Sequence, residues 1–227
     1  MMLHVPNVLS KSQIKDIREQ MAVSDAWVSG KQSAGEQAKK IKENLQVDIK
    51  HSLYNDLNQL IQPALKTHPL YQSFCLPKQL LPLMFNCYQN GGHYGAHVDS
   101  SIQYLPHTGQ AIRTDISMTL FLSEPNEYEG GELIIEDTYG SHEVKLDAGD
   151  LILYPSTSLH HVQPVTQGQR FAAFTWIQSI VKDDHQRSML FDLDMTILRL
   201  RNELGDHPEI IRLTHHYHNL LRIWGEI

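Results

Sequence analysis

The chain has 227 residues, 41% of them hydrophobic and 20% charged, a globular balance that excludes an intrinsically disordered protein. Nineteen basic against 26 acidic residues give a formal charge of −7 without a long basic run, which excludes a general nucleic-acid binder held by phosphate contacts. No apolar stretch reaches the length of a membrane span, the first ten residues lack an export pattern, and two cysteines, Cys75 and Cys87, make no disulfide framework. The expectation is a cytoplasmic protein with neither nucleic-acid nor membrane partners.

In chain order, Ser10-Lys11-Ser12-Gln13 has the form of a capping box, with Leu9 and Ile14 placed as a hydrophobic staple. Ile14, Ile17 and Met21 follow at helical spacing. A second short helix is expected to start at Ser33-Ala34-Gly35-Glu36 and bury Ala38, Ile41 and Leu45. A third carries Ile49, Leu53, Leu57, Leu60 and Ile61 until Pro63 kinks or ends it. From about Pro77 the texture changes to short apolar runs at 80–88, 94–98, 112–122, 132–136, 142–146, 150–154, 160–165 and 169–177, separated by Gly- and Pro-rich turns. About eight short strands with no helix among them predict an antiparallel double-sheet or barrel fold. After Val181 the helical pattern returns. Asp183 or Asp184 caps a helix bearing Leu190, Leu193, Ile197, Leu200 and Leu204, and Gly205 stops it. Pro208 opens a second helix with Ile210, Leu213, Tyr217, Leu220 and Trp224. The chain therefore reads as a helical region packing on the core (1–77), the β core (78–180) and a C-terminal helical hairpin (181–227). Leu198, Ile211 and Leu221 widen the hairpin's apolar face; a homodimer through these helices is expected, with packing on the β core as the alternative.

Fourteen histidines pose the question of metal-ligand spacing. In His97-Val98-Asp99, strand alternation sends His97 and Asp99 to one side and Val98 to the other. Alone this is a weak signal, because chance supplies about one His-x-Asp in a chain so rich in both residues. His160 adds a second imidazole. If Thr166-Gln167-Gly168 closes a hairpin, His160 and Arg170 face the same side of it, four residues and roughly 13 Å apart. Two His and one carboxylate leave coordination positions open, as non-haem Fe(II) oxygenases need, and a five-carbon dicarboxylate would bridge from the metal to the arginine fork. By parity His160, not His161, is the ligand.

The order His97-x-Asp99, His160, Arg170 resembles the Fe(II)/2-oxoglutarate dioxygenases of the prolyl 4-hydroxylase-like branch. The segments Tyr88-Gln-Asn-Gly-Gly-His-Tyr94-Gly-Ala-His97-Val-Asp99, Glu129-Gly-Gly-Glu-Leu133 and Tyr154-Pro-Ser-Thr-Ser-Leu-His160 are similar to bacterial PKHD-type hydroxylases. The resemblance implies a mainly β fold with flanking helices, built on a double-stranded β-helix (jelly roll). It implies Fe(II) held by His97, Asp99 and His160, with Arg170 on the distal carboxylate of 2-oxoglutarate. The keto acid would chelate the metal, O2 would be consumed, and succinate and CO2 released as a C–H bond is hydroxylated. L-ascorbate would maintain the iron. All four residues count as catalytic.

Other residues keep two readings. Tyr88 and Tyr94 flank the Gly91-Gly92 turn; Tyr88 either contacts the cosubstrate, as the resemblance suggests, or is a strand aromatic like Tyr94. Trp176 walls the pocket or fills the core. Arg113 and Asp115 read as a structural pair, with a substrate role as the alternative. Glu129-Gly130-Gly131-Glu132 reads as a tight turn, and His215-His216-Tyr217-His218 as a solvated helix face. The segments 100–110 and 125–131 are expected to border the mouth. The substrate stays open between a small molecule, siderophore-like or otherwise given the family's link with iron uptake, and a peptidyl side chain. A cupin-like metal protein without 2-oxoglutarate chemistry and a non-catalytic binding module are the rival functions; Arg170 argues against the first and the intact four residues against the second.

Overall fold

The computed structural model describes residues 1–33, 35, 38–106 and 108–226. Two sheets face each other. The major sheet has the order Leu3–Val5, Leu151–Pro155, Ile116–Phe121, Arg170–Ser179, Met84–Tyr88, Leu45–Val47, Trp27–Ser29, with Pro77–Leu80 also paired to the long Arg170–Ser179 strand. The minor sheet runs Gly140–Val144, Leu133–Asp137, His160–Val162, His93–His97, Lys42–Glu43. All pairings are antiparallel, as expected of strands joined without crossover helices.

Alternation along the strands separates two environments. On Met84–Tyr88, Phe85 and Cys87 enter the hydrophobic core, while Met84, Asn86 and Tyr88 line the cavity between the sheets. On Arg170–Ser179, Phe171, Ala173 and Ile177 face that core; Arg170, Phe174 and Trp176 line the cavity. The core lies on the outer face of the major sheet, closed by helices α1 (Lys11–Ala22), α2 (Ser52–Thr67) and α3 (Pro69–Cys75). Leu57, Ile61 and Leu65 are fully buried there, each contributing on the order of 2 kcal/mol by apolar transfer. Helices α4 (Asp184–Leu204) and α5 (Pro208–Trp224) form the C-terminal hairpin.

Several local expectations hold. Ser10 and Gln13 complete the capping box of α1, whose buried residues are Ile14, Ile17 and Met21. Asp183 caps α4 by accepting from the Gln186 N–H, and Gly205 ends it with φ of 64°. Other expectations fail. Pro63 does not end α2, which runs on to Thr67, where the hydroxyl donates to the Pro63 carbonyl at 3.0 Å. Leu60 and Ile49, expected on its apolar stripe, are exposed. The segment after Ser29 is a 3-10 turn, Gly30–Ser33, not an α-helix; a second turn, Ala38–Lys40, leads into the strands Lys42–Glu43 and Leu45–Val47. Part of that expected helix, Ala34, Glu36 and Gln37, lies outside the described residues. The N-terminal region also supplies strands as well as helices. Strands of two or three residues carry too little alternation to be read from sequence.

The expected hairpin between His160 and Arg170 does not form. His160–Val162 pairs with Leu133–Asp137 and His93–His97 in the minor sheet, whereas Arg170–Ser179 lies in the major sheet. Between them Val165–Gly168 pairs with Tyr128–Gly130 instead. Gly168, at φ of 72°, makes this possible: a Cβ there would lie 2.0 Å from the Glu127 carbonyl oxygen.

Candidate active site

The two histidines come from adjacent strands of the minor sheet, where His160 sits directly opposite His97. Asp99 follows on the chain just beyond the His93–His97 strand. The His97 Nδ1–H donates to the Gly95 carbonyl at 2.8 Å, and the His160 Nδ1–H to the Ser158 carbonyl at 3.0 Å. A carbonyl can only accept, so in the neutral ring the Nε2 is the nitrogen left with a lone pair, the arrangement of a metal-ligating imidazole. His97 Nε2 lies 3.9 Å from Asp99 Oδ1, and His160 Nε2 3.8 Å from Asp99 Oδ2, too far for hydrogen bonds. The three donor atoms all lie within 4.8 Å of one another. Among the described residues no other group of His, Cys, Asp and Glu is so arranged. The His215–His218 segment lies on α5, and His161 points away from the cavity toward Gln163.

Burial, and next the closeness of the His160 imidazole, lower the His97 pKa to about 4. The ring is neutral at pH 7, as coordination requires. Tyr94 stacks on it, with centroids 3.7 Å apart and planes 21° from parallel. Asp99 is held from the opposite sheet: the Ser117 hydroxyl donates to its Oδ2 at 2.5 Å and lies 2.8 Å from the Ser156 hydroxyl. Ser117 and Ser156 were missed from sequence, because nothing local marks a serine that reaches across two sheets.

Arg170 enters the same cavity from the major sheet and is 1% exposed. Its guanidinium lies 5.5 Å from the Tyr88 ring centroid and 5.1 Å from that of Phe121. Its Nε and Nη2 are buried without a hydrogen-bond partner. Leaving two donors of a buried cation unmatched is costly, so the site fits an anion that accepts from both. Gly131 makes room for the arginine stem, since a Cβ there would lie 3.0 Å from Arg170 Cδ. Tyr88 and Tyr154 line the cavity, and burial pushes the Tyr88 phenol up to about 12, keeping it protonated as a hydrogen-bond donor.

The cavity encloses about 610 Å³, a volume typical of small-ligand sites. Trp176 lines it, packed edge-on against Phe174 with centroids 5.7 Å apart. Ser100 and Gln103 border it, but no residue of 125–131 does, and His107 lies outside the described residues. Arg113 and Asp115 lie outside the cavity in a two-bond ion pair at 2.7 and 3.2 Å, which supports the structural reading. Lys42 was not anticipated. It is buried against the cavity on the edge strand of the minor sheet, and desolvation lowers its pKa to about 8.

Comparisons with known proteins follow the same division. Residues 83–178 match the 2OG-Fe(II) oxygenase superfamily, and residues 184–226 the PKHD-type hydroxylase C-terminal domain. A PKHD-type hydroxylase of Hyphomonas neptunium is 53% identical over 226 residues, and one of Acinetobacter baumannii 52% identical over 228, each covering 100% of both chains. Among solved structures, a Trichoplax adhaerens prolyl hydroxylase in complex with a hypoxia-inducible-factor peptide fragment has a TM-score of 0.59 at 13% identity, covering 83% of this chain and 86% of that one. HygX of Streptomyces hygroscopicus, solved with nickel, 2-oxoglutarate and hygromycin B, has a TM-score of 0.51 at 13% identity, covering 80% and 84%. At such identities these structures speak for the jelly-roll fold alone.

Proposed function

The chain belongs to the PKHD-type hydroxylases, an Fe(II)- and 2-oxoglutarate-dependent dioxygenase family, and on that premise we propose that His97, Asp99 and His160 hold its iron while Arg170 holds the distal carboxylate of 2-oxoglutarate. The carrying observation is one cavity in which three donor atoms within 4.8 Å of one another face the same space as a buried guanidinium with two unmatched donors. Bound Fe(II) supplies the dioxygen chemistry, in which one oxygen atom of O2 enters succinate as CO2 leaves and the other becomes the substrate hydroxyl.

The chain's own residues then have separate tasks. Gly95 and Ser158 carbonyls fix the ring orientation and tautomer of the two histidines. Ser117 fixes Asp99 by hydrogen bonding one carboxylate oxygen. Arg170 binds and orients the keto acid through paired charge-assisted bonds, and the rings of Tyr88 and Phe121 keep water from it. The Tyr88 hydroxyl, on a ring beside the Arg170 guanidinium, would donate to the bound cosubstrate. Holding both reactants in one enclosed space is the protein's main contribution to rate.

Further parts of the reading rest on chemistry and composition. Ascorbate would serve as the reductant that maintains the iron. The net charge of −7 speaks against nucleic acid as the substrate, and no described helix is long and apolar enough to cross a membrane. A cytoplasmic enzyme acting on a small molecule or a peptidyl side chain fits these properties. Exposed Leu198 and Ile211 on the C-terminal helices fit a second copy of the chain as their cover, which light scattering of the intact protein tests. The central test is anaerobic titration of the Fe(II) protein with 2-oxoglutarate. A metal-to-ligand charge-transfer band is expected, lost in Arg170→Ala at 2-oxoglutarate concentrations that saturate the wild type. No band in the wild-type protein would return the chain to a metal-binding jelly roll of other chemistry.

A further inference from the structure

Arg170 and Phe174 stand four residues apart on one strand, roughly 13 Å along it. At the Phe174 position the cavity changes character. Lys42 reaches in from the edge strand of the minor sheet, opposite Tyr94, and is 4% exposed. Its ammonium lies 5.1 Å from the Tyr94 ring centroid and 5.8 Å from that of Phe174, so it sits where the two sheets meet across the cavity. Asn86 lines the same wall, on the strand paired with that of Phe174 and two residues from Met84, which faces Phe174 directly. Asn86 is 6% exposed, and its Oδ1 is buried without a hydrogen-bond partner. A buried amide oxygen without a donor is costly, so a cavity wall that keeps one suits a ligand that supplies the donor. The edge-on pair of Phe174 and Trp176 adds apolar surface beside these polar groups.

Resting on the dioxygenase reading, in which 2-oxoglutarate occupies the Arg170 end, we infer that Lys42 and Asn86 form the recognition subsite for the primary substrate. That substrate carries a carboxylate, bound by the Lys42 ammonium, and a nearby N–H or O–H, which donates to Asn86 Oδ1. Its apolar portion lies on Phe174 and Trp176. A cavity of about 610 Å³ that also holds 2-oxoglutarate leaves space for a metabolite-sized acid.

N-benzoylglycine combines a carboxylate, an N–H donor and an aromatic body; its methyl ester removes the charge at the cost of one added methyl group. Both are titrated by ligand-observed NMR into protein loaded with Mn(II) and N-oxalylglycine, which fills the Arg170 end and prevents turnover. The wild type is expected to bind the acid at least tenfold more tightly than the ester. Lys42→Met removes that preference, Lys42→Arg keeps it, and Asn86→Leu weakens both probes about tenfold. N-oxalylglycine affinity stays within twofold of wild type in Lys42→Met, and matching thermal unfolding of Lys42→Met and Lys42→Arg verifies that both fold. A wild-type protein that binds neither probe, or binds the ester equally well, overturns the inference, as does a retained preference in Lys42→Met. Failure of N-oxalylglycine to bind the wild type breaks the dioxygenase reading instead, and the acid–ester preference of wild type against Lys42→Met with Mn(II) alone still decides the subsite.

Discussion

At the Arg170 end of the cavity the lining side chains Tyr88, Thr119, Tyr154 and Arg170 are all buried, while at the outer rim Ala96, Val98 and Ser100 are exposed. The inner end is fixed by charge and by paired strands on both sides, with Arg170 opposite Tyr88 and Thr119 opposite Ile152. The rim is built by the chain just after His97 and by the short Ile102–Tyr104 and Ala111–Arg113 hairpin. An enzyme that binds a fixed cosubstrate at one end of its cavity and admits a second reactant from the other is served by this division. Electrostatic interactions are worth most where water is excluded, so substitutions at the inner end should change affinity steeply and those at the rim mildly.

The steepest change is expected on removing a metal donor. Asp99→Ala or His160→Ala should lower Fe(II) affinity by more than about 100-fold, beyond the usual effect of a supporting residue, and abolish 2-oxoglutarate turnover. His161→Ala should leave both within about twofold. Competition with a chelator of known affinity measures this, and a reversed order of His160 and His161 would sink the assignment.

Arg170→Ala comes next. Loss of paired charge-assisted bonds in a water-poor site costs on the order of 2–5 kcal/mol, seen as weaker 2-oxoglutarate binding with Fe(II) affinity nearly unchanged. Equal losses of both would mean that Arg170 supports the fold and not the ligand.

Ser117→Ala should weaken metal binding by about tenfold, because Asp99 keeps its place on the chain but loses the bond that orients it. Replacing the rim residue Gln103 by Ala should alter metal and 2-oxoglutarate affinities by less than about 0.5 kcal/mol, as surface changes usually do. If Gln103→Ala weakened 2-oxoglutarate as much as Arg170→Ala, the division between inner end and rim would be wrong.

The inner end was also the legible part. His97, Asp99, His160 and Arg170 differ in kind from their neighbours, and the structure brings all four to one cavity. The route predicted for two of them was nevertheless mistaken. Strand parity treated His160 and Arg170 as one hairpin, but partners in a sheet are chosen by contacts far along the chain, which no local pattern encodes. Capping residues were readable because a cap acts within one turn: Ser10 with Gln13, and Asp183 with Gln186. Lys42 was not, since its strand is two residues long and it stands among other lysines. Asn86 shares the parity of Tyr88 and was within reach of the same alternation that separated His97 from Val98.

The pairing of Leu3–Val5 with Leu151–Pro155 bears on how the protein is made. The Leu3–Val5 strand has no partner until most of the jelly roll has been synthesised, and Arg170 arrives later still. Synthesis at about 5–20 residues per second leaves that strand waiting for about 7–30 seconds, an unpaired edge that invites association with other chains. Closing so long a loop adds little to the equilibrium cost, since loop entropy grows only with the logarithm of length. The delay is kinetic. Yield in an overproducing cell should therefore depend on chaperone supply more strongly than the stability of the finished enzyme suggests.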